Sequence, residues 1–321
     1  SEWTYDALIL SPGALAVRPP LPGIDSPRVQ TLRTVGDAAR MRTEVEAGAT
    51  RAVVLGAGFI GLEAAEGLRM QGLAVDVVEL APHVLPPLET EQAALIQAEL
   101  REMGIALHTG VAATAIESGA DADTVVLADG TRIDADIVVL SVGVRPDTAV
   151  FEAAGVACER GAMIVDEHGR TNLDRIWAVG DATVSTDSVT GLRRPVALAG
   201  PANRAGRLVA DHIIDPESAR PIPQPVGTSI VRVGSLTAAM TGANRAALDQ
   251  SGIDYRTVHL HPGSHAGYFP GAEQIHLVMH LRADDGLILG AQAVGSDGAD
   301  KRIDVLATAI RNRMTGPDLI D

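Results

Sequence analysis

Short apolar runs alternate with amphipathic helical segments in the first half of the chain. Ala52–Leu55 is an apolar, β-branched run, and Leu62–Gln71 continues with the spacing of a helix. A second apolar run, Ala74–Val78, follows directly. Glu89–Met103 has the pattern of an amphipathic helix, and Ile105–Thr109 that of a further strand. Strands that alternate with helices in this way predict an α/β fold built on a buried parallel sheet.

Three shorter runs then interrupt this alternation. Val111–Ile116, Thr124–Leu127 and Thr131–Ile133 predict a three-stranded antiparallel excursion. The dipeptide Asp129-Gly130 is typical of the hairpin turn that such an excursion needs. The apolar run Asp136–Ser141 predicts a return to the parallel sheet.

The pattern changes after residues 215–225, a stretch with four prolines that we interpret as a linker. Beyond it the sequence predicts five strands and one long helix, namely Ser229–Val233, Ala238–Thr241, Tyr255–His261, Gln274–Leu281, Leu287–Val294 and the helix Lys301–Arg313. Strands followed by a helix are typical of an antiparallel α+β domain.

The start of the chain allows two interpretations. Tyr5–Leu10 predicts a strand that enters a turn of small residues. It is either a late strand of a domain whose beginning lies upstream, or a short strand that completes the sheet that follows it. Thr34–Gly48 predicts a helix before that sheet.

A glycine motif separates the first strand of the sheet from its helix. Gly56, Gly58 and Gly61 form G-x-G-x-x-G, in which the first glycine allows a tight turn, the second lets a pyrophosphate approach, and the third packs helix against strand. Glu79 ends the second strand, where a carboxylate can bind ribose hydroxyls. Gly143, after a later strand, faces the crevice where such sheets bind ligands. We therefore expect a dinucleotide site here, the alternative being a glycine-rich helix start without a ligand.

A second strand–turn–helix arrangement occurs later in the chain. The run Ile176–Ala178 ends in Gly180-Asp181, where the aspartate can accept a hydrogen bond from a cofactor hydroxyl. Its alternative is an ordinary turn aspartate. The helix predicted over Pro201–Ile214 presents an N-terminus whose amides suit an electron-rich ring.

Composition narrows the class of protein. The 321 residues are enough for two or three domains, and 46% hydrophobic against 2% aromatic residues predicts aliphatic cores. A net charge of −15 argues against nucleic acid or an anionic membrane as partner. No apolar run approaches membrane-spanning length, and no signal peptide is recognisable. A single cysteine, Cys158, fits a reducing compartment, so we expect a cytoplasmic protein.

The remaining polar clusters favour structural roles. His259 and His261 alternate with apolar residues, which is typical of one solvent-exposed strand face rather than of a metal pair. His276 and His280 lie on another predicted strand without a Cys or Glu cluster beside them, so we predict no metal site. Cys158 has no neighbouring histidine, which argues against a redox role.

Taken together, these segments resemble the pyridine nucleotide-disulfide oxidoreductases, flavoproteins that bind two dinucleotides. Within that family the chain resembles the coenzyme A-disulfide reductase branch, a neighbour of the NADH oxidases and NADH peroxidases. The general motifs are SPGA at 11–14, GAGFIGLE at 56–63, VGVRP at 142–146 and AVGDA at 178–182. The branch motifs are PANRAGR at 201–207, GTS at 227–229, SHAGYFP at 264–270 and DGADKRIDVLATAI at 297–310.

The resemblance implies three domains and two cofactor sites. An incomplete FAD domain would comprise residues 1–34 and 147–220, an inserted NAD(P)H domain 35–146, and an incomplete interface domain for dimerisation 225–321. The residues that would contact FAD are Ser11, Gly13, Gly180, Asp181, Ala197, Leu198 and Ala199. Those that would line the NAD(P)H site are Gly56, Gly58, Ile60, Gly61, Glu63, Glu79 and Gly143.

The resemblance also implies an activity. The expected enzyme is a homodimer that passes hydride from NADH through FAD to a redox cysteine and so reduces a small disulfide, coenzyme A disulfide or persulfide. Glu79 suggests NADH, because a carboxylate repels the 2′-phosphate of NADPH. Tyr268 matches the tyrosine that assists release of the coenzyme A thiolate at the partner's site; from the residues alone, the alternative is a half-buried loop tyrosine.

The family pattern is incomplete in this chain. The FAD glycine motif, the redox cysteine and the final segment are not among these residues, so we expect a fragment that holds FAD weakly and does not turn over. The alternatives are an NADH oxidase or peroxidase, a coenzyme A persulfide or polysulfide reductase, and, from another class, a non-catalytic nucleotide-binding redox partner.

Overall fold

The computed structural model describes residues 2–320. Within that range the α-helices are α1 (Val35–Glu46), α2 (Phe59–Met70), α3 (Thr90–Glu102), α4 (Ala149–Ala153), α5 (Ala199–Ile214), α6 (Arg245–Ser251) and α7 (Ala299–Arg311). The strands up to residue 146 are β1 (Leu8–Leu10), β2 (Ala14–Ala16), β3 (Val29–Thr31), β4 (Arg51–Leu55), β5 (Ala74–Glu79), β6 (Ile105–Thr109), β7 (Ala113–Ser118), β8 (Asp123–Leu127), β9 (Arg132–Ala135), β10 (Ile137–Leu140) and β11 (Val144–Pro146). The later strands are β12 (Cys158–Glu159), β13 (Ala162–Met163), β14 (Ile176–Ala178), β15 (Val184–Thr186), β16 (Arg193–Pro195), β17 (Ser229–Val233), β18 (Leu236–Gly242), β19 (Tyr255–Leu260), β20 (His276–Arg282) and β21 (Ile288–Gly295).

The described residues form two compact units. The first unit contains the residues up to 15, together with 144–228 and 246–254. The second unit contains residues 16–143, 229–245 and those from 255 onward. Each unit is described separately below.

A five-stranded parallel sheet forms the centre of the second unit. Its strand order is β3-β10-β4-β5-β6, and every neighbouring pair runs parallel. Val53, Val54, Val138 and Val139 are fully buried, because helices α2 and α3 cover one face of the sheet and strands β7 and β8 cover the other. The α/β fold predicted from the alternating pattern is therefore confirmed. The sheet also includes β3, which precedes residue 35, the expected start of the NAD(P)H domain.

A partly buried carboxylate links two strands of this sheet at their amino ends. Asp136 precedes β10 and accepts hydrogen bonds from the backbone N–H of Thr50 at 2.8 Å and of Arg51 at 3.0 Å. The Arg51 guanidinium also donates to it at 2.8 Å. Burial alone would raise the pKa of Asp136, but these hydrogen bonds outweigh it and hold the pKa well below its usual range.

The antiparallel excursion is also present in the second unit. Strands β7, β8 and β9 form a three-stranded sheet in which each neighbouring pair is antiparallel. Gly130 adopts a φ of 90° in the turn between β8 and β9, a conformation that glycine adopts without steric cost. The predicted Asp129-Gly130 hairpin is thus confirmed.

A second sheet of the same unit is antiparallel throughout. Its order is β17-β18-β21-β20-β19, and α7 packs against β18 and β21. The predicted α+β character of this part is confirmed. Helix α6 was not predicted.

A polar cluster joins this antiparallel sheet to the start of α3. The Glu89 carboxylate accepts a hydrogen bond from His280 Nε2 at 3.0 Å and from the backbone N–H of Arg245 at 2.9 Å. The backbone N–H of Glu89 donates to Gln292 Oε1 at 2.6 Å. Burial opposes ionisation of Glu89, but these partners lower the pKa of Glu89 overall. The cluster fixes α3 against β20 and β21.

The first unit has a smaller parallel sheet. Strands β1 and β14 pair in parallel, with Ile9 opposite Trp177. The alternative in which the N-terminal strand completes the following sheet is wrong, because β1 pairs with β14. Helix α5 packs Ala205 and Val209 against Trp177 of β14 and against Val179, the residue that follows β14. None of the described helices combines the length and apolar character needed to cross a bilayer.

Candidate functional site

The first and third glycines of the motif are required by close packing. Gly56 has a φ of 100°, and a Cβ atom at this position would lie 2.5 Å from the carbonyl oxygen of Ser141. A Cβ atom at Gly61 would lie 1.9 Å from the carbonyl oxygen of Gly56. Any larger side chain would therefore separate α2 from β4 and β10.

The second glycine borders open space. Gly58 is the N-cap of α2 with a φ of −76°, and a Cβ atom there would meet nothing within 4 Å. No side chain caps the helix, so backbone N–H groups of the first turn have no side-chain acceptor. An uncapped helix N-terminus beside open space is suited to a phosphate.

Glu79 is held against the glycine turn by backbone hydrogen bonds. Its Oε2 atom accepts from the N–H of Ala57 at 2.7 Å, and its Oε1 atom accepts from the N–H of Ala81 at 2.8 Å. Each carboxylate oxygen has a second lone pair available to a ribose hydroxyl. The sequence led us to expect that Glu79 binds ribose hydroxyls, but not that its carboxylate also orients the glycine turn.

Parallel pairing brings the other candidates for this site to the same edge. Strands β10, β4 and β5 are neighbours, so their carboxyl ends lie side by side. Gly143 follows β10 with a φ of 105° and open space around its Cα. Ile60 and Glu63 lie in the first turns of α2, both exposed.

Ser141 is a residue of this edge that sequence reasoning missed. Its hydroxyl is within hydrogen-bond distance of the carbonyl oxygens of Leu55 and Gly56, at 2.9 and 2.8 Å. It therefore ties the end of β10 to the glycine turn. A serine after a buried apolar run was the signal available in the sequence.

The residues predicted to contact FAD lie in the first unit. Ser11 and Gly13 follow β1, and Gly180 and Asp181 follow β14, so parallel pairing places these two turns side by side. Gly13 and Gly180 have φ values of 71° and 80°, which favour glycine at both positions. The Asp181 side chain is half-buried in a short 3-10 turn.

A cavity of about 340 Å³ lies beside this second glycine turn. Gly180 and the first turns of α5, including Pro201 and Ala202, line part of it. Leu198 is the N-cap of α5 without a side-chain hydrogen bond, and Ala197 and Ala199 lie on either side of it. The first turn of α5 contains no acidic residue, so its amides suit an electron-rich group.

The candidate catalytic tyrosine lies in a long loop of the second unit. Tyr268 is 91% exposed, and its loop is anchored to α7 because Arg302 donates to the carbonyl oxygens of Gly263 and Ser264, each at 3.2 Å. His265 stacks on Phe269 with ring centroids 4.4 Å apart. The exposed hydroxyl is therefore accessible to a ligand or a second subunit.

Cys158 is poorly suited to nucleophilic chemistry. It lies in β12, partly buried, and burial followed by the nearby Glu152 carboxylate raises the pKa of its thiol. A raised pKa disfavours the thiolate, which is the reactive form. Among the described residues, no group of three or more His, Cys, Asp or Glu side chains is placed to hold a metal ion.

Two models of known protein families match nearly the whole chain. A family model described as pyridine nucleotide-disulphide oxidoreductase matches residues 1–206, and the model of its dimerisation domain matches residues 228–321. A coenzyme A disulfide reductase of Staphylococcus haemolyticus is 32% identical over 329 residues, which cover 100% of this chain and 71% of that protein. An NADH oxidase of Methanocaldococcus jannaschii is 32% identical over 321 residues, covering 99% of this chain and 70% of that protein.

Two solved structures are also similar. A NAD-dependent persulfide reductase from A. fulgidus superimposes with a TM-score of 0.97 at 36% identity, over 99% of this chain and 59% of that one. The reduced Bacillus anthracis CoADR-RHD gives a TM-score of 0.95 at 39% identity, over 98% of this chain and 57% of that one. The chain thus spans less than two thirds of these two solved proteins.

Proposed function

Because the chain belongs to the pyridine nucleotide-disulphide oxidoreductase family, we propose that it acts as an NAD(P)H:disulfide oxidoreductase of the coenzyme A-disulfide reductase type. The family is FAD-dependent and uses NAD(P)H. The proposed reaction consumes NADH, one proton and coenzyme A disulfide, and yields NAD⁺ and two molecules of coenzyme A thiol.

The glycine turn of the second unit is the observation that carries this proposal. Close packing requires glycine at positions 56 and 61, whereas Gly58 borders open space at a helix N-terminus that no side chain caps. That combination fits the pyrophosphate of a dinucleotide. We assign Glu79 to the ribose hydroxyls and propose NADH as the preferred donor.

The first unit supplies the proposed FAD contacts. Asp181 would accept a hydrogen bond from the ribityl chain, and the N-terminus of α5 at Ala197–Ala199 would present its amides to the pyrimidine end of the ring. When bound, FAD supplies the two-electron relay between nicotinamide and disulfide. The residues Ser11, Gly13 and Gly180 would let the backbone approach it closely.

Tyr268 is the proposed catalytic residue of the chain. In a homodimer its exposed hydroxyl would donate a hydrogen bond to the thiolate that leaves as the disulfide is reduced, which stabilises the developing negative charge. We propose that the redox cysteine is not Cys158, since burial raises the pKa of that thiol.

Turnover of purified full-length protein with FAD tests the activity. We expect NADH oxidation that depends on coenzyme A disulfide, and a slower rate in the Tyr268→Phe variant by about tenfold or more, since one hydrogen-bond donor to a developing charge is lost. NADH oxidation with oxygen alone at an equal rate would instead assign an NADH oxidase. A preference for coenzyme A persulfide would assign a persulfide reductase, and a protein that retains no flavin would support the non-catalytic alternative.

The donor preference has its own test. Glu79→Gln removes the charge that repels a 2′-phosphate and keeps one acceptor oxygen for the two backbone N–H groups of Ala57 and Ala81. We expect the ratio of NADPH to NADH dissociation constants, measured by calorimetry, to fall by about tenfold, or about 1.4 kcal/mol. Glu102→Gln, an exposed residue at the end of α3, makes the same change in net charge and should leave the ratio unaltered. An unchanged ratio in Glu79→Gln would contradict the assignment.

A further inference from the structure

Two histidines meet across the antiparallel sheet directly after β19 ends. Backbone pairing continues beyond them, because Ile275 N–H donates to the Pro262 carbonyl oxygen and Ser264 N–H donates to that of Glu273. Leu260 is the last paired residue of β19 and lies opposite Leu277, so His261 and His276 are the next pair outward. Their Nδ1 atoms are 3.1 Å apart. The ring centroids lie 5.0 Å apart with the planes at 72°, so the rings meet edge to face rather than stacked.

We propose that His261 and His276 form a binding site for a divalent first-row transition-metal cation, such as Zn²⁺ or Ni²⁺, with each imidazole supplying Nδ1. Two nitrogens at this separation, each about 2.0–2.1 Å from a cation, subtend an angle of roughly 100° at it. That angle lies between the values of cis-octahedral and tetrahedral coordination. The pair is therefore spaced as a chelate before any cation binds.

The ligand type selects the class of cation. Imidazole nitrogen suits zinc, nickel and copper, whereas magnesium and calcium prefer oxygen ligands. His261 is exposed and His276 half-buried, so water has access to the remaining coordination positions. Without a cation one Nδ1–H donates to the other ring. With a cation the donating ring adopts its Nε2–H tautomer, which leaves both Nδ1 lone pairs for the metal.

The sequence pattern favoured no metal site because it related His261 to the wrong neighbour. His259 lies in β19 and His261 lies directly after its end, so the two histidines are separated by two positions along the backbone. The partner of His261 is His276, fifteen residues away and across the sheet. That pairing depends on the register of β19 with β20.

A cation bound by this pair would affect the segment between the two histidines. His261 and His276 bracket segment 262–275, which contains Tyr268. The Arg302 side chain already anchors one end of this segment through Gly263 and Ser264. Backbone hydrogen bonds from Ile275 to Pro262 and from Ser264 to Glu273 already close the base of this segment. A cation that bridges the two histidines would reinforce that base and slow its opening.

Calorimetric titration of untagged protein with ZnCl₂, NiCl₂ and MgCl₂ tests the site. We expect one Zn²⁺ or Ni²⁺ site per chain and no Mg²⁺ binding. His261→Ala and His276→Ala should each weaken Zn²⁺ binding at least about tenfold, because a single imidazole cannot chelate. His259→Ala is the matched control, since it removes a half-exposed histidine from β19 and should leave Zn²⁺ binding intact.

Two results would overturn the proposal. Zn²⁺ affinity that is unchanged in both His261→Ala and His276→Ala, or equally reduced in His259→Ala, would place the site elsewhere. The absence of Zn²⁺ and Ni²⁺ binding at millimolar concentration would leave a hydrogen-bonded pair only. Hydrogen exchange gives an independent readout, because Zn²⁺ should slow exchange in residues 262–275 of the wild type and not of His276→Ala. Equal slowing in both proteins would also contradict the site.

Discussion

Both units place a glycine turn after a short parallel strand, but the support around each turn differs. In the second unit, β4 lies inside a five-stranded sheet with parallel neighbours on both sides. In the first unit, β14 has one parallel partner, β1, and Ile9 of that partner is 42% exposed. The same strand–glycine turn arrangement therefore follows a strand of a buried five-stranded sheet in the second unit and a strand of a partly exposed two-stranded sheet in the first.

A glycine motif indicates a binding site most directly when packing accounts for some of its glycines and leaves another without a structural reason. Around Gly56 the steric demand comes from backbone of a neighbouring strand, so the packing itself explains two glycines and leaves Gly58 for a ligand. At position 180, packing does not require glycine, because a Cβ atom there would lie 3.7 Å from the Ala202 Cβ, an ordinary contact. Glycine is favoured at this position by its backbone conformation, with a φ of 80°. The turn of the second unit therefore has two glycines that packing requires and one that packing leaves open, whereas Gly180 is favoured by its backbone conformation alone.

Core truncation should show the largest difference between the two sheets. Leu62 is fully buried under the five-stranded sheet, so Leu62→Ala should reduce the free energy of unfolding by about 2–5 kcal/mol. Ile9→Ala removes a side chain that is only partly buried, and we expect a loss of about 1 kcal/mol. Urea unfolding followed by circular dichroism measures both. Equal losses would remove the distinction between the sheets.

The carboxylate at the amino ends of β4 and β10 should give the next largest effect. Asp136→Asn weakens charged hydrogen bonds from Thr50 and Arg51, and we expect a loss of about 1.5–3 kcal/mol at pH 7. Because the folded pKa of Asp136 is lowered, its contribution is complete above the ordinary value of 3.8 and disappears as pH falls below that value. The difference between wild type and variant should therefore shrink in acid.

Asp134→Asn is the matched control for that pH series. Its carboxylate lies 3.4 Å from the same guanidinium but is 59% exposed, so it should change stability by less than about 1 kcal/mol. A wild-type advantage over Asp136→Asn that persists undiminished well below the ordinary pKa would contradict the role of the ionised carboxylate.

Local patterns predicted the elements that are buried and regular. The run at 52–55, the three glycines and the second run at 74–78 were enough to predict β4, α2 and β5, because burial on both faces leaves an apolar signature. The Asp129-Gly130 turn could be predicted from the sequence because few dipeptides adopt that turn. Helix α1 begins directly after Thr34, which forms a capping box with Asp37, in agreement with the predicted start at Thr34.

Elements defined by distant partners were missed. Strand β3 has three residues and exists because β10 pairs with it, and β15 and β16 form a short hairpin with no apolar alternation. The cluster of Glu89, His280 and Gln292 joins residues about two hundred positions apart. No periodicity in a single segment reports such contacts, and the pairing of His261 with His276 was missed for the same reason.

The central claim, that the glycine turn of the second unit binds NADH, has one direct test. Gly58→Ala adds a methyl group that meets nothing within 4 Å, so the variant should fold normally while the methyl occupies space needed by the pyrophosphate. Gly67→Ala adds the same group to the same helix, again with nothing within 4 Å, but outside the N-terminal turn. In calorimetric titrations with NADH we expect binding by the wild type and Gly67→Ala, and a loss of about tenfold or more in Gly58→Ala. Equal NADH affinity in the two variants would contradict the account.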